Sequence, residues 1–365
     1  VISLVSIALH AALGAYTQEM PAAGYGYLRR HILYTALGYA AMLAVYRLDY
    51  SILSRFAKPA AAAFLVFLLA GKSFCGIWIN GAMSYIRIGS VFFFLPALMV
   101  LYVPLFGGLL YSYRGEGYKG MGKILLWALI PTWFAFRVPA FSQGVILWIS
   151  FVTLTAVAVH KGWYRVHRTG ALAVLGVLLA APPLLFLGAG ALGYLATYQT
   201  ERIRAFLTNS ADGDYLTIQM RRVLAGSRML GADAGNITEL TKLPGFNSDY
   251  IFVSLISVYG LLAGVLAAAL VFFLILKIFR ISFGQKNQLG MILGMSCGIV
   301  YLFQAGMSIG MNLGLLPPTA VILPFFSLGG TGIMVSYVLL GVVLSVYRYK
   351  NILPDRAREL SRKMD

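Results

Sequence analysis

The chain has little of what soluble enzymes use to build reactive sites. Two cysteines, Cys75 and Cys297, occur in 365 residues, too few for a disulfide-rich scaffold or a thiolate metal cluster. They lie in or near different apolar segments and read as small buried hydrophobes. The four histidines, His10, His31, His160 and His167, show no metal-ligand spacing. No metal site and no cofactor is identifiable on this basis, although a loosely held divalent cation leaves no such signature. Charge is also scarce: Asp, Glu, Lys and Arg together make up 11% of the chain. Acids are outnumbered 12 to 29 by bases. No internal repeat or low-complexity segment is evident.

What is present is hydrocarbon. Hydrophobic residues are 60% of the sequence, and mean hydropathy is +0.81, more apolar surface than a soluble domain of this size needs. Five runs approach the roughly 20 apolar residues that cross a bilayer: 88–110, 170–195, 250–276, 289–309 and 329–347. Shorter or more broken runs lie at 1–17, 31–46, 59–71, 122–136 and 142–159. Backbone in lipid must satisfy its own hydrogen bonds, so these runs predict helices. The expected fold is an all-α polytopic membrane bundle of about ten helices, a single integral membrane domain over 1–365. Val1 already lies inside an apolar run, so the natural start is expected to be missing, and no cleavable signal is visible.

The net charge of +17 resembles a nucleic-acid signal until it is mapped. With alternating spans, one face collects 18 Lys and Arg, including Arg47, Arg55, Lys58, Arg114, Lys161, Arg165, Lys277 and the tail from Arg348. The short loops opposite hold five: Arg29, Arg30, Lys72, Arg87 and Arg137. Six more lie in one long loop, 196–249, which the positive-inside count excludes. The basic face, with tail 348–365, is therefore expected to be cytoplasmic and the long loop extracytoplasmic. The excess is topology and contact with membrane lipids, not nucleic-acid binding.

Two regions depart from a plain bundle. GMNLGLLPPTAVILPFFSL (310–328) is apolar yet carries Pro317, Pro318 and Pro324. Proline removes a donor and clashes with the preceding turn, so a broken or re-entrant segment is expected there. SLGGTG (327–332) follows, with Ser327, Gly329 and Gly330 at the start of the last span. Free N–H groups there suit an anion, and small residues equally suit tight helix packing. The long loop contains six acids, Glu201, Asp212, Asp214, Asp233, Glu239 and Asp249, against six bases. Five of the acids read as solvated surface. Asp249 differs because FNSDYIFVSLISVYG (246–260) sets it at the edge of an apolar run, where a carboxylate is costly. A helix N-cap by Ser248 or Asp249 at Tyr250 is one account of it, and a catalytic role is compatible with that cap.

Four stretches resemble the SEDS family, the shape, elongation, division and sporulation proteins of RodA, FtsW and SpoVE type. NGAMSYIRIGS (80–90) is similar to an outer-loop motif G-A-x-x-W-I-x-[LI]-G, with Tyr85 in the tryptophan's place. YQTERIRAFL (198–207) is similar to Y-x-x-x-R-[IL]-x-x-[FY]-L and puts Arg202 on the family arginine. LPGFNSDYIF (243–252) is similar to L-P-E-x-x-T-D-F-I-F and puts Asp249 on the acid regarded as catalytic. GLLPPTAVILPFFSLGGTG (314–332) is similar to G-x-[IL]-P-V-T-G-x-x-L-P-x-[IL]-S-Y-G-G-[ST]-[ST], and Gln304 also fits. The chain departs from the pattern at FLPALM (94–99), where Ala97 stands near a family glutamate, and at VPAFSQG (138–144), which lacks the family acid. Ser257 and Val258 replace a Glu-Glu pair, and Ser308 replaces an asparagine that Asn312 neighbours.

The resemblance implies a peptidoglycan glycosyltransferase that polymerises lipid II into glycan strands at the outer face of the cytoplasmic membrane, in cell shape, division or sporulation. It implies lipid II and undecaprenyl pyrophosphate as ligands and a class B penicillin-binding protein, a transpeptidase, as partner. Asp249 is then the expected general base. Arg202 is the first choice for the diphosphate, with Arg87, Arg204, Lys242 and the Ser327, Gly329 and Gly330 backbone region as further candidates. Two other functions fit the same sequence: a transporter of lipid-linked precursors, and a non-catalytic scaffold for the transpeptidase. The spans carry almost no ionisable groups, which disfavours transport. The missing family acids favour the scaffold, and the retained Asp249 favours the enzyme.

Overall fold

The computed structural model describes residues 1–16, 21–79, 82–138, 140–191 and 215–349. Arg202, Arg204, the first part of the long loop (196–214) and tail residues 350–365 lie outside them. The described chain is mostly helix: α1 (Ile2–Tyr16), α2 (Pro21–Arg47), α3 (Ile52–Cys75), a sheet β1 (Gly76–Ile79), β2 (Ala82–Ile88) and β3 (Val91–Phe94), then α4 (Leu95–Met99) and α5 (Tyr102–Ser112). There follow α6 (Tyr118–Arg137), α7 (Phe141–His160), α8 (Arg168–Ala191), α9 (Tyr215–Ala225), α10 (Ala234–Thr241), α11 (Ile251–Tyr259), α12 (Leu261–Phe283), α13 (Gln288–Asn312) and α14 (Gly330–Arg348).

Among the described residues, six stretches are helices long and apolar enough to cross a membrane: Arg55–Cys75, Leu95–Ser112, α7, α12, α13 and α14. Ile2–Tyr16 and Arg168–Ala181 are shorter apolar helices. The chain is thus a polytopic membrane protein. The expected runs at 31–46 and 122–136 lie in α2 and α6. α13 occupies the centre, packed against α5, α7, α12 and α14, and most of its residues are buried. α3 and α12 leave most of their apolar surface uncovered, as helices do when lipid is their solvent. α14 lies along α2. Gly341 permits this approach, since a Cβ there would come 2.8 Å from the Met42 carbonyl oxygen.

Three expectations change. The run 88–110 is not one span: residues 88–94 close an antiparallel sheet in which Tyr85 pairs with Phe94 and Arg87 with Phe92, and helix begins at Leu95. Gly89 turns the hairpin at φ 61, and three consecutive phenylalanines favour strand over helix. The run 250–276 is also divided, by Gly260 at φ 93, so α11 and α12 are separate helices. A side chain at 260 would meet the Met229 carbonyl oxygen at 2.6 Å. Finally, α11 begins at Ile251 with Tyr250 as its N-cap residue and no side-chain cap bond, so neither Ser248 nor Asp249 caps it. Residues 315–329 contain no helix, as the prolines predict.

Candidate functional site

The site forms where the loop between α10 and α11 meets the Pro-rich segment and the end of α13. Gly245, at φ 78, lets the chain reverse so that its carbonyl accepts from the N–H groups of Ser248 (2.9 Å) and Tyr250 (3.0 Å). The next four carbonyls are each held by a donor. Ser254 Oγ donates to Phe246 O at 2.5 Å, and Leu328 N–H to Asn247 O at 2.9 Å. Ser327 Oγ donates to Ser248 O at 2.7 Å, and Asn312 Nδ2 to Asp249 O at 3.0 Å. Asn312 is fully buried. Its amide also donates to Ser308 O at 2.7 Å and accepts from Val253 N–H at 3.0 Å. This one side chain therefore joins α13, the loop and the first turn of α11.

The donor turn is itself constrained. Phe325 adopts φ 68, a left-handed conformation that costs a side-chain-bearing residue about 1–2 kcal/mol. Its ring packs against Tyr301 (centroids 5.6 Å) and Tyr337 (5.2 Å), which hold the turn in place. Ser327 Oγ closes the turn by accepting from Leu323 N–H at 2.8 Å. The backbone beneath Asp249 is thus fixed from two directions.

The Asp249 carboxyl itself is different. It is half-buried, and burial alone pushes its pKa up to about 6. No described cation holds it down. It is felt by Tyr85 on β2, whose hydroxyl is raised first by burial and then by the charge of Asp249. The sheet reaches this position because Phe94 N–H donates to Thr331 Oγ1 at 3.0 Å on the first turn of α14, and the Tyr85 and Phe94 rings lie 5.0 Å apart. A desolvated carboxylate with a pKa near neutrality is what a general base requires.

The other candidates are distributed unevenly. Arg87 lies two residues beyond Tyr85 on the same sheet face. It is exposed, with Nε donating to Gly89 O at 2.9 Å and its guanidinium 5.6 Å from the Phe92 ring centroid. Lys242 Nζ is bound to Glu239 at 2.6 Å. Ser327 is committed to Ser248 and Leu323. Gly330 packs against Tyr34, where a Cβ would come within 2.9 Å of the ring. Gly329, the N-cap residue of α14, faces open space. Packing therefore accounts for Gly330 and open backbone for Gly329. Arg202 and Arg204 fall outside the described residues. Among the described residues, no group of three or more His, Cys, Asp or Glu is placed to hold a metal. Both cysteines are free, Cys75 exposed and Cys297 buried.

Sequence reasoning missed Asn312, noted only as the neighbour of Ser308, and the pairing of Ser327 with Ser248. The signal available for Asn312 was an amide at the end of an apolar span, where an unpartnered polar group is expensive. At the missing Glu-Glu pair, Ser257 accepts a 3.0 Å bond from Asn236 Nδ2, so neutral groups occupy that place.

Comparison with known proteins finds relatives along nearly the whole chain. The model of the cell cycle protein family FTSW_RODA_SPOVE matches residues 1–352. A probable peptidoglycan glycosyltransferase FtsW of Aliivibrio salmonicida is 24% identical over 338 residues, covering 88% of this chain and 80% of that protein. One from Synechocystis is 26% identical over 361 residues, covering 94% and 86%. Among solved structures, a chain from work on polymerization and crosslinking by a peptidoglycan synthase complex superposes with a TM-score of 0.76 at 20% identity, covering 96% of this chain and 98% of that one. The rod shape determining protein RodA of Thermus thermophilus superposes with a TM-score of 0.65 at 19% identity, covering 96% and 95%.

Proposed function

The chain belongs to the FtsW/RodA/SpoVE family of cell cycle proteins, and from that premise we propose that it is a peptidoglycan glycosyltransferase with Asp249 as its general base. The observation that carries the reading is the contrast at Asp249: a backbone held by three distant donors beneath a desolvated carboxyl with no described cation beside it. Rigid placement of a group that must move a proton is the economy expected of a catalytic centre.

In this mechanism Asp249 takes the proton from a sugar 4-hydroxyl as that oxygen attacks the anomeric carbon of lipid II. The new glycosidic C–O bond forms while the bond to undecaprenyl pyrophosphate breaks, and the pair of electrons leaves with the diphosphate. Attack from the opposite face inverts the centre, converting an α-linked donor to a β-linked product. The diphosphate needs positive partners. Arg202 is the first choice by motif, and Arg87 and the open Gly329 backbone lie on the elements that adjoin Asp249. Lys242 and Arg204 are further candidates, and a divalent cation could share the load. Loop 196–249 faces the extracytoplasmic side and the C-terminal tail the cytoplasm, by the distribution of Lys and Arg. A class B penicillin-binding transpeptidase is the proposed partner.

The test is purified protein, alone and with its cognate transpeptidase, supplied with labelled lipid II. Glycan ladders from the wild type that disappear in Asp249→Ala, with the melting temperature retained, support the enzyme. Absence of polymer from the wild type under every partner condition supports the scaffold function instead. Arg202→Ala is expected to weaken donor use more than Arg204→Ala, and the reverse ranking would move the diphosphate site.

A further inference from the structure

The mechanism leaves unused a pair of buried titratable side chains that stack on each other. His10 on α1 and His31 on α2 are both fully buried. Their rings stack with centroids 4.0 Å apart and planes within 13°. Each keeps one ring nitrogen without a hydrogen-bond partner, Nε2 of His10 and Nδ1 of His31. Buried polar atoms are rarely left so without a reason.

The contacts of the pair supply one. His31 Nε2 lies 2.8 Å from Ser6 Oγ, and Ser6 Oγ donates to Phe326 O at 3.4 Å. That donation leaves Ser6 Oγ to accept from His31 Nε2–H. Phe326 directly precedes Ser327, whose hydroxyl holds the Ser248 carbonyl. His10 Nδ1–H donates to Ser6 O at 2.9 Å. Both imidazoles thus end on Ser6, and through its hydroxyl on the turn that holds the catalytic loop.

We propose that His10 and His31 are positioning residues for Asp249, bracing the Phe326 turn through Ser6 from α1 and α2. This rests on the reading of Asp249 as the base. The His31 bond aims the Ser6 hydroxyl at Phe326 O, and the stack with His10 holds the His31 ring in place.

Isosteres separate this role from simple core packing. A glutamine amide reaches the place of Nε2 and can still serve Ser6 Oγ, whereas an asparagine amide reaches only the place of Nδ1. Full-length protein carrying His31→Gln is expected to polymerise labelled lipid II near the wild-type rate. His31→Asn is expected to lose about 10–100-fold in kcat with KM nearly unchanged, the effect of displacing a reacting group by about 1 Å. His31→Phe keeps a stacked ring but cuts the link to Ser6, and is expected to resemble His31→Asn. Equal turnover in His31→Gln and His31→Asn, or wild-type turnover in His31→Phe, would overturn the proposal. If one variant fails to fold, the other two still decide it. Asp249→Ala run alongside separates the two ideas: if it still polymerises, the base assignment fails, whereas if it is inactive and the histidine variants are indistinguishable, only the brace fails.

Discussion

Two carboxylates ten residues apart in the same loop, Glu239 and Asp249, are treated in opposite ways. Glu239 accepts from Lys242 Nζ at 2.6 Å and Gln219 Nε2 at 3.0 Å, with Arg222 at 3.5 Å. These bonds, that of Lys242 foremost, hold its pKa down to about 2. Asp249 receives no such donors from the described residues and is pushed up to about 6 by burial. Glu239 is a strut that ties α9 to α10. Asp249 is a group left able to exchange a proton. Both are acids in one loop, and only Asp249 stands at the edge of an apolar run. The difference is made by where their donors are spent: on the side chain at Glu239, on the backbone carbonyl at Asp249.

The sharpest way to break this contrast is to exchange charge for amide at each position. Asp249→Asn is expected to lower lipid II polymerisation by about 10²–10⁴-fold. Next in size, Asn312→Leu removes the donor beneath Asp249, and turnover is expected to fall about 10–100-fold while KM changes less. Single-turnover rates with labelled substrate measure both. The pH profile follows in size. Asp249 acts as a base only when ionised, so kcat is expected to drop as pH falls through about 6, and the limb should vanish from the residual rate of Asp249→Asn.

Stability gives the smaller effects. Because the folded pKa of Asp249 lies above its ordinary value, ionisation opposes folding, and that penalty is complete above about pH 6. Asp249→Asn is therefore expected to melt higher than the wild type at pH 8, by a few degrees, and to lose that advantage in acid. Glu239 has the opposite sign. Its folded pKa is depressed, so its contribution is present above the usual glutamate range and fades as pH falls toward about 2. Glu239→Gln is expected to leave turnover within about twofold and to raise hydrogen exchange in α9 and α10 at neutral pH. If Glu239→Gln proved as inactive as Asp249→Asn, the two acids would not differ in kind.

Much of the fold was legible before any coordinates. Long apolar runs placed the helices of the bundle, Pro317, Pro318 and Pro324 marked the segment without helix, and the motif around 243–252 singled out Asp249. The errors have a common cause. Phe92, Phe93 and Phe94 are as apolar in a strand as in a span, so hydropathy merged the hairpin with α4 and α5. Gly260 counts as a neutral residue in a window, yet its φ ends one helix and begins another. The ion pair of Lys242 had a local signal in Glu239, three residues earlier and within helical reach.

The sequence by itself determined that this chain lives in a membrane, roughly which segments cross it, and which acid stands at the edge of one, because hydrophobic length and local motif are sums over neighbours in the chain. Tertiary structure decided what that acid can do. Asn312 lies 63 residues from Asp249 and Ser327 lies 79 from Ser248, and His10 meets His31 only when two helices pack. Desolvation and the direction of a hydrogen bond depend on atoms brought together from distant positions, and no window along the chain contains them.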